Sequence, residues 1–153
     1  MTALARDLAF EDFPADEFAE YGGVELTAED IVAFAHEFDP QPFHLDNEAA
    51  KPATGGLIAS GWHTSALLHR MNCDAFLARA MVVREPGIEE VRWARPVRPG
   101  DRLRVRRRTL LAVARAADVG EVEFLYEIVN QDDVVAMTQR CRLQLRRRGR
   151  RTN

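Results

Sequence analysis

The fold of this chain is decided by the stretch Gly55-Gly56-Leu57-Ile58-Ala59-Ser60-Gly61-Trp62-His63-Thr64-Ser65-Ala66-Leu67-Leu68-His69-Arg70-Met71. This stretch is apolar on more than one side, contains no proline and has its only arginine near its end. A helix with so few charges over its first three turns is usually buried within its domain. We therefore expect a long central helix that begins near Ser60.

From residue 79 onward, apolar and charged residues alternate with the period of a β-strand. Turn-forming residues occur at Pro99-Gly100-Asp101 and Asn130-Gln131-Asp132-Asp133. Because no helical segment separates the four runs, they predict an antiparallel sheet with one polar face. The sequence therefore predicts an α+β fold in which a curved antiparallel sheet wraps around the central helix. The apolar positions of the runs are Val91 and Trp93; Leu103, Val105, Thr109, Leu111 and Val113; Val122, Phe124, Tyr126 and Ile128; and Val135, Met137, Cys141, Leu143 and Leu145.

A second helix is predicted upstream, with Thr27 as its N-cap and an apolar face of period 3.6. Asp39-Pro40-Gln41-Pro42 should end it, since a proline pushes the preceding residue out of the α region. We expect the chain to run extended through Phe43 and His44. A short helix capped by Asp46 should follow and end before Pro52.

The composition is that of one globular domain, which we assign to residues 1–146, followed by a solvated basic tail at residues 147–153. The net charge of -3 is unevenly distributed, with 3 basic and 14 acidic residues in 1–76 but 18 basic and 10 acidic in 77–153. Alternation places most of the strand arginines on a solvated outer face, from which a few could meet phosphates. Because no exposed aromatic residues are interleaved with them, we expect no nucleic-acid partner.

Targeting and cofactor signals are missing from the sequence. The N-terminal residues do not resemble a signal peptide, and no apolar stretch is long enough to span a membrane. Cys73 and Cys141 are far apart and without a second ligand at metal-binding spacing. The expectation is a cytoplasmic protein with no membrane association and no bound metal.

Asp39 and His44 are the candidate acid/base pair. Five residues apart, they would not share a helix face, but they can converge on a loop stiffened by Pro40 and Pro42. Such a pair can take a proton from water and return one to a substrate. The alternative is structural, with Asp39 as a helix-end polar group and His44 as a half-buried, hydrogen-bonded side chain.

Gly55, Gly56 and Gly61 precede or begin the central helix. Glycine allows a ligand to approach the backbone closely, and the first N–H groups of a helix have no intrahelical partner. The N–H of Gly61 could thus stabilise charge that develops on a carbonyl oxygen. Equally, the glycines could serve only to allow close packing of the helix against the sheet.

These segments together resemble the MaoC-like branch of the hotdog-fold superfamily, which includes (R)-specific enoyl-CoA hydratases. The resemblance covers roughly residues 20–146. It is carried by Asp39-Pro40-Gln41-Pro42-Phe43-His44-Leu45-Asp46, by Gly56-Leu57-Ile58-Ala59-Ser60-Gly61 and by Trp93-Ala94-Arg95-Pro96-Val97-Arg98-Pro99-Gly100-Asp101.

The resemblance implies a hydratase or dehydratase that adds water reversibly to a trans-2-enoyl thioester, with Asp39 and His44 as the catalytic pair and Gly61 N–H on the thioester oxygen. It further implies an acyl-CoA substrate, no cofactor beyond the coenzyme A of that substrate, and a homodimer or higher oligomer. The substrate contacts it suggests are Pro42, Phe43, Ser60, Trp62 and His63. For Trp62, packing under the sheet is the competing expectation.

Two positions depart from the family pattern: Ser60-Gly61 replaces a common His-Gly pair, and His69 stands where some relatives have a serine. These departures keep two alternatives open. The chain could be a non-catalytic acyl-thioester-binding or structural subunit of a heteromeric hydratase, or it could be a hotdog thioesterase. The acyl chain and the carrier, coenzyme A or acyl carrier protein, are undetermined by the sequence.

Overall fold

The computed structural model describes residues 5–149. A 3-10 turn at Phe10–Asp12 and a π-helical turn at Cys73–Leu77 accompany four helices and five strands. The helices are α1 (Ala28–Phe38), α2 (Pro42–Leu45), α3 (Asn47–Thr54) and α4 (Gly61–Asn72). The strands are β1 (Phe18–Glu25), β2 (Val82–Trp93), β3 (Arg102–Ala114), β4 (Val119–Val129) and β5 (Val135–Arg146).

The strands form one antiparallel sheet in the order β1-β3-β4-β5-β2. This confirms the predicted α+β arrangement, but the sheet has a fifth strand, β1, that the alternation did not reveal. Two glycines interrupt the pattern of β1, and its register with β3 shifts between Gly22 and Val24. Gly22 adopts a φ of 92°, and a Cβ there would collide with the side chain of Met71 on α4. The bulge therefore lets β1 lie close to the helix.

Helix α4 supplies one side of the hydrophobic core, as predicted. Ser60 is its N-cap, and Leu68 and Met71 are buried in the same cluster as Phe124 and Ile128. Burying an apolar side chain of this size stabilises a fold by about 2 kcal/mol. The core cluster thus joins the helix to the middle of the sheet.

The segment between α1 and α4 differs from its prediction in two places. Phe43 and His44 lie in the helical turn α2 rather than in an extended strand. Pro42 is the first residue of that turn, where its fixed φ suits a helix and its missing N–H costs nothing. Helix α3, capped by Asp46 as expected, continues through Pro52 to Thr54 instead of ending before the proline.

Arg107 is the exception among the strand arginines that we expected on the outer face. Its side chain is only 5% exposed and points into the core, where its guanidinium group donates to both carboxylate oxygens of Glu17 at 2.8 and 3.0 Å. The guanidinium carbon lies 4.3 Å from the ring centroid of Phe76 and 5.0 Å from that of Phe13. Aromatic faces attract a desolvated cation, so the rings and the carboxylate together make this burial tolerable.

Most of the other arginines in the strands pair with carboxylates on the sheet. Arg104 bonds to Glu20 and Asp133, and Arg142 lies beside Glu89 and Glu123. Their positive charge is therefore largely balanced within the described residues, which fits the expectation of a solvated ionic face.

The expected basic tail is anchored over the part that the structure describes. Arg147 N–H donates to the carbonyl of Asp118, and Arg148 pairs with Asp12 at 2.6 Å. Its remainder, residues 150–153, lies outside the described residues. In the described range, no helix is long and apolar enough to cross a membrane.

We predict that Glu17→Gln destabilises the protein by about 2 kcal/mol, because it leaves the buried charge of Arg107 without its counter-ion. Glu25→Gln is the matched control, since its pair with Arg102 is more than half exposed on both sides and should contribute less than about 0.5 kcal/mol. Urea denaturation measures both values. Equal effects of the two substitutions would contradict the role assigned to Glu17.

Candidate active site

Asp39 and His44 are brought together as predicted. Asp39 is the C-cap of α1 and His44 lies on α2, so the turn through Pro40 and Gln41 folds one residue back onto the other. The Nε2 atom of His44 lies 3.4 Å from Oδ2 of Asp39. His44 is buried, and only 15% of the Asp39 side chain is exposed. The two groups thus face each other in a mostly dry setting.

A backbone carbonyl orients the imidazole of His44. The Nδ1 atom lies 2.7 Å from the carbonyl oxygen of Ile58. Because a carbonyl oxygen can only accept, Nδ1 must carry the proton in this bond. In the neutral ring the lone pair is therefore on Nε2, which is the nitrogen that faces Asp39.

Both oxygens of Asp39 accept hydrogen bonds from neutral donors. Ser60 Oγ donates to Oδ2 at 2.6 Å, and Gln41 Nε2 donates to Oδ1 at 2.6 Å. The hydrogen bond from Ser60, followed by that from Gln41, holds the pKa of the Asp39 carboxyl below its usual value. Asp39 is consequently an anion at neutral pH.

An open cleft of about 230 Å³ lies beside His44. One wall runs from Ile58 to Gly61 at the start of α4, and the other runs from Trp93, the last residue of β2, to Val97. A backbone hydrogen bond from Ala59 to Val97 joins the two segments. The cleft therefore presents the imidazole and the first residue of α4 to the same space.

Gly61 lies directly against the indole of Trp93. A Cβ built at Gly61 would stand 2.5 Å from two ring atoms of this indole. The Trp93 ring is held by a hydrogen bond from Nε1 to Ser65 Oγ at 3.3 Å and by edge contact with Trp62. Among the described residues, the N–H of Gly61 has no hydrogen-bond acceptor, as its place in the first turn implies. Close packing with Trp93 thus requires glycine here whether or not the N–H serves a ligand.

The remaining residues predicted to contact substrate occupy different settings. Phe43 packs edge-on against His44, and Pro42 is exposed at the start of α2. Trp62 is 62% exposed, so the competing expectation that it packs under the sheet is wrong.

His63 is buried and stacks on Phe34 at 4.5 Å, outside the cleft, and burial lowers its pKa. Ser60 is fully buried, with its hydroxyl directed at Asp39.

His69, at the position where some relatives have a serine, is exposed near the end of α4. Three contributors to the site were not predicted from the sequence: the carbonyl of Ile58, the amide of Gln41 and the indole of Trp93. A backbone carbonyl leaves no trace in residue type, and Trp93 was assigned to a strand and to a motif of the family resemblance but given no role at the site. Within residues 5–149, no group of three or more His, Cys, Asp or Glu side chains could hold a metal ion.

A five-stranded antiparallel sheet wrapped around one central helix defines a hotdog-fold domain. Residues 10–130 match the family of MaoC-like domains, and the chain belongs to this family. The resemblance read from the sequence is thereby confirmed.

A MaoC-like dehydratase from Rhodospirillum rubrum is 36% identical, with a TM-score of 0.86 over 93% of this chain and 99% of that one. The Bacillus subtilis protein YdeM is 26% identical over 83% of this chain and 91% of its own. The (R)-hydratase PhaJ1 of Pseudomonas aeruginosa has a TM-score of 0.73, covering 94% of this chain and 92% of that one. At 20% identity, this last likeness shows the fold alone.

We predict that Gly61→Ala destabilises the protein because its methyl group displaces the Trp93 indole, at a cost of about 1–3 kcal/mol. Trp93→Ala in the same chain should remove most of this penalty, since the methyl group then has room. A double-mutant cycle by thermal denaturation measures the coupling. Additive effects of the two substitutions would show that the contact is not the reason for glycine at this position.

Proposed function

We propose that this protein is a hydratase that adds water reversibly to the double bond of a trans-2-enoyl thioester, giving a 3-hydroxyacyl thioester. The observation that carries the proposal is the pair formed by His44 Nε2 and Asp39 Oδ2, 3.4 Å apart beside the cleft. The bond from His44 Nδ1 to Ile58 fixes the tautomer that this chemistry needs.

The pair suits a water molecule as its target. In its neutral form His44 presents a hydrogen-bond acceptor, Nε2, to the ionised carboxylate of Asp39. A water molecule between them can therefore donate one hydrogen bond to each. Its oxygen is then free to form a bond to the β-carbon of the enoyl group. One member of the pair takes the proton that the water loses, and a proton is returned to the α-carbon, so that H and OH are added without oxidation or reduction.

The N–H of Gly61 is the proposed donor to the thioester oxygen, which gains negative charge as water adds. Gly61 and His44 line the same cleft. A donor in this place stabilises the enolate while His44 and Asp39 act on the β-carbon, and such donors typically contribute about 3 kcal/mol to lowering a barrier. The reaction requires no metal or redox cofactor, and coenzyme A enters only as part of the substrate.

Family membership supports hydration or dehydration, as does the likeness to the dehydratase of Rhodospirillum rubrum. The carrier is either coenzyme A or acyl carrier protein. Cys73 and Cys141 are both free thiols, in keeping with the reducing cytoplasm in which we place this activity.

We predict that Asp39→Asn and His44→Ala each lower kcat/KM for hydration of crotonyl-CoA by about 10²- to 10⁴-fold, because each removes one member of the acid/base pair. Loss of the conjugated thioester absorbance measures the rate. Asp74→Asn and His36→Ala change the same residue types at exposed positions and should retain full activity.

Further measurements on the wild-type protein and the two site variants separate the competing functions. Release of free coenzyme A, detected with a thiol reagent, would replace the proposal with thioester hydrolysis. Binding of acyl-CoA without turnover, together with co-purification of a second hotdog chain, would identify a non-catalytic subunit. Full activity in both site variants would refute the assignment of the pair.

We also propose that the protein works as a homodimer joined along β2. This strand is twelve residues long, lies at one edge of the sheet and is exposed over most of its length. Ile88 is 54% exposed on it, and Trp93 and Trp62 form an exposed aromatic pair at its end. A long uncovered edge strand with apolar side chains favours pairing with another strand, and a second copy offers the same edge.

We expect a dimer by size-exclusion chromatography with light scattering. Ile88→Asp should shift it toward monomer, because pairing would bury the carboxylate at the strand edge. Leu110→Asp, which changes an exposed apolar residue on β3, is the control and should leave the mass unchanged. A monomeric wild-type chain would contradict the proposed dimer.

A further inference from the structure

Ser60 joins the two elements that meet at the site. Its side chain is fully buried, and its Oγ accepts the N–H of Trp62 at 3.2 Å as the N-cap of α4. The same Oγ donates its proton to Oδ2 of Asp39 at 2.6 Å. One hydroxyl group therefore connects the start of α4 to the end of α1.

We propose that Ser60 is a positioning residue for the reaction of Asp39 and His44, because its hydroxyl holds the Oδ2 atom of Asp39 toward Nε2 of His44. This inference rests on the proposed hydratase function. It assigns to Ser60 a role that does not involve contact with substrate, since a fully buried hydroxyl bonded to Asp39 is out of reach of a ligand in the cleft.

The geometry explains why this hydroxyl matters more than the other donor. Gln41 bonds to Oδ1, whereas Ser60 bonds to Oδ2, which is the oxygen that lies 3.4 Å from Nε2 of His44. Gln41 is also exposed, whereas Ser60 is enclosed and tied to the helix by its capping bond. Without the Ser60 hydroxyl, the carboxylate would be held only by the exposed amide of Gln41, and Oδ2 would be directed less firmly at the imidazole.

The charge of Asp39 depends on the same bond. His44 on α2 is the titratable group that acts on the Asp39 carboxyl; Gln41 and Ser60, from the neighbouring segments, are neutral. The N-terminus of α4 adds the positive end of a helix dipole behind Ser60. A hydrogen bond to the ionised form favours that form, so loss of the hydroxyl should raise the pKa of Asp39.

The experiment compares Ser60→Ala, Ser60→Thr and wild type. We expect Ser60→Ala to lower kcat/KM for crotonyl-CoA roughly tenfold, mainly through kcat, and to move the acid limb of the pH profile to higher pH. Ser60→Thr keeps a hydroxyl group, so the acid limb of its pH profile should lie at the same pH as in the wild type. If Ser60→Thr does not fold, Ser60→Cys takes its place. It has nearly the same shape but is a weaker donor, so its acid limb should lie between those of Ser60→Ala and the wild type.

Thr27→Ala is the matched control, because Thr27 caps α1 with the same chemistry but lies at the end of that helix far from Asp39. It should lower the melting temperature as a lost cap does and leave the pH profile in place. If Thr27→Ala and Ser60→Ala have the same effect on the profile, Ser60 is only a helix cap and the inference fails.

An NMR titration of the Asp39 carboxyl carbon tests the inference without turnover. Ser60→Ala should raise the pH at which this carbon titrates, and Ser60→Thr should not. An unchanged titration would overturn the role of Ser60 even in an active hydratase. If the wild-type protein hydrates no enoyl thioester but the titration shifts as expected, the proposed function fails while the link between Ser60 and Asp39 stands.

Discussion

The burial of α4 against the sheet is the constraint on which the other features depend. Leu68 and Met71 lie in one apolar cluster with the middle strands, and this packing fixes where the N-terminus of the helix emerges. The first N–H groups of a helix need acceptors, and the buried Ser60 provides one for Trp62. Because Ser60 also bonds to Asp39, the requirement to cap a buried helix and the requirement to place a carboxylate are met by one hydroxyl group.

The site is assembled from short segments on either side of α4. Hydrogen bonds from Ile58 to Phe43 and from Ala59 to Val97 tie the segment before the helix to α2 and to the chain after β2. His44 then takes its orientation from the Ile58 carbonyl. Residues distant in sequence are therefore held by backbone bonds, so the placement of Asp39 and His44 does not depend on long side chains finding their positions unaided.

The uneven distribution of charge along the chain has a structural explanation. The acidic first half supplies carboxylates such as Glu17 and Glu20 that pair with arginines of the basic second half, Arg107 and Arg104 among them. Arg107 shows that charge alone does not assign a residue to solvent, since it is in phase with the buried Leu103 and Val105. It occupies an inward position of β3, and the rings of Phe13 and Phe76 make that position acceptable for a cation.

The sequence by itself determined the α+β class, the start of α4 at Ser60, the end of α1 at Asp39 and the nomination of Asp39 and His44, because helix caps, prolines and periodicity act locally. Strand β1, the ion pair of Arg107 with Glu17, the carbonyl of Ile58 on His44 and the packing of Trp93 on Gly61 were decided only by the tertiary structure. Each of these joins segments far apart in the chain, or uses a backbone atom that every residue has, so no local pattern of residue types could reveal it.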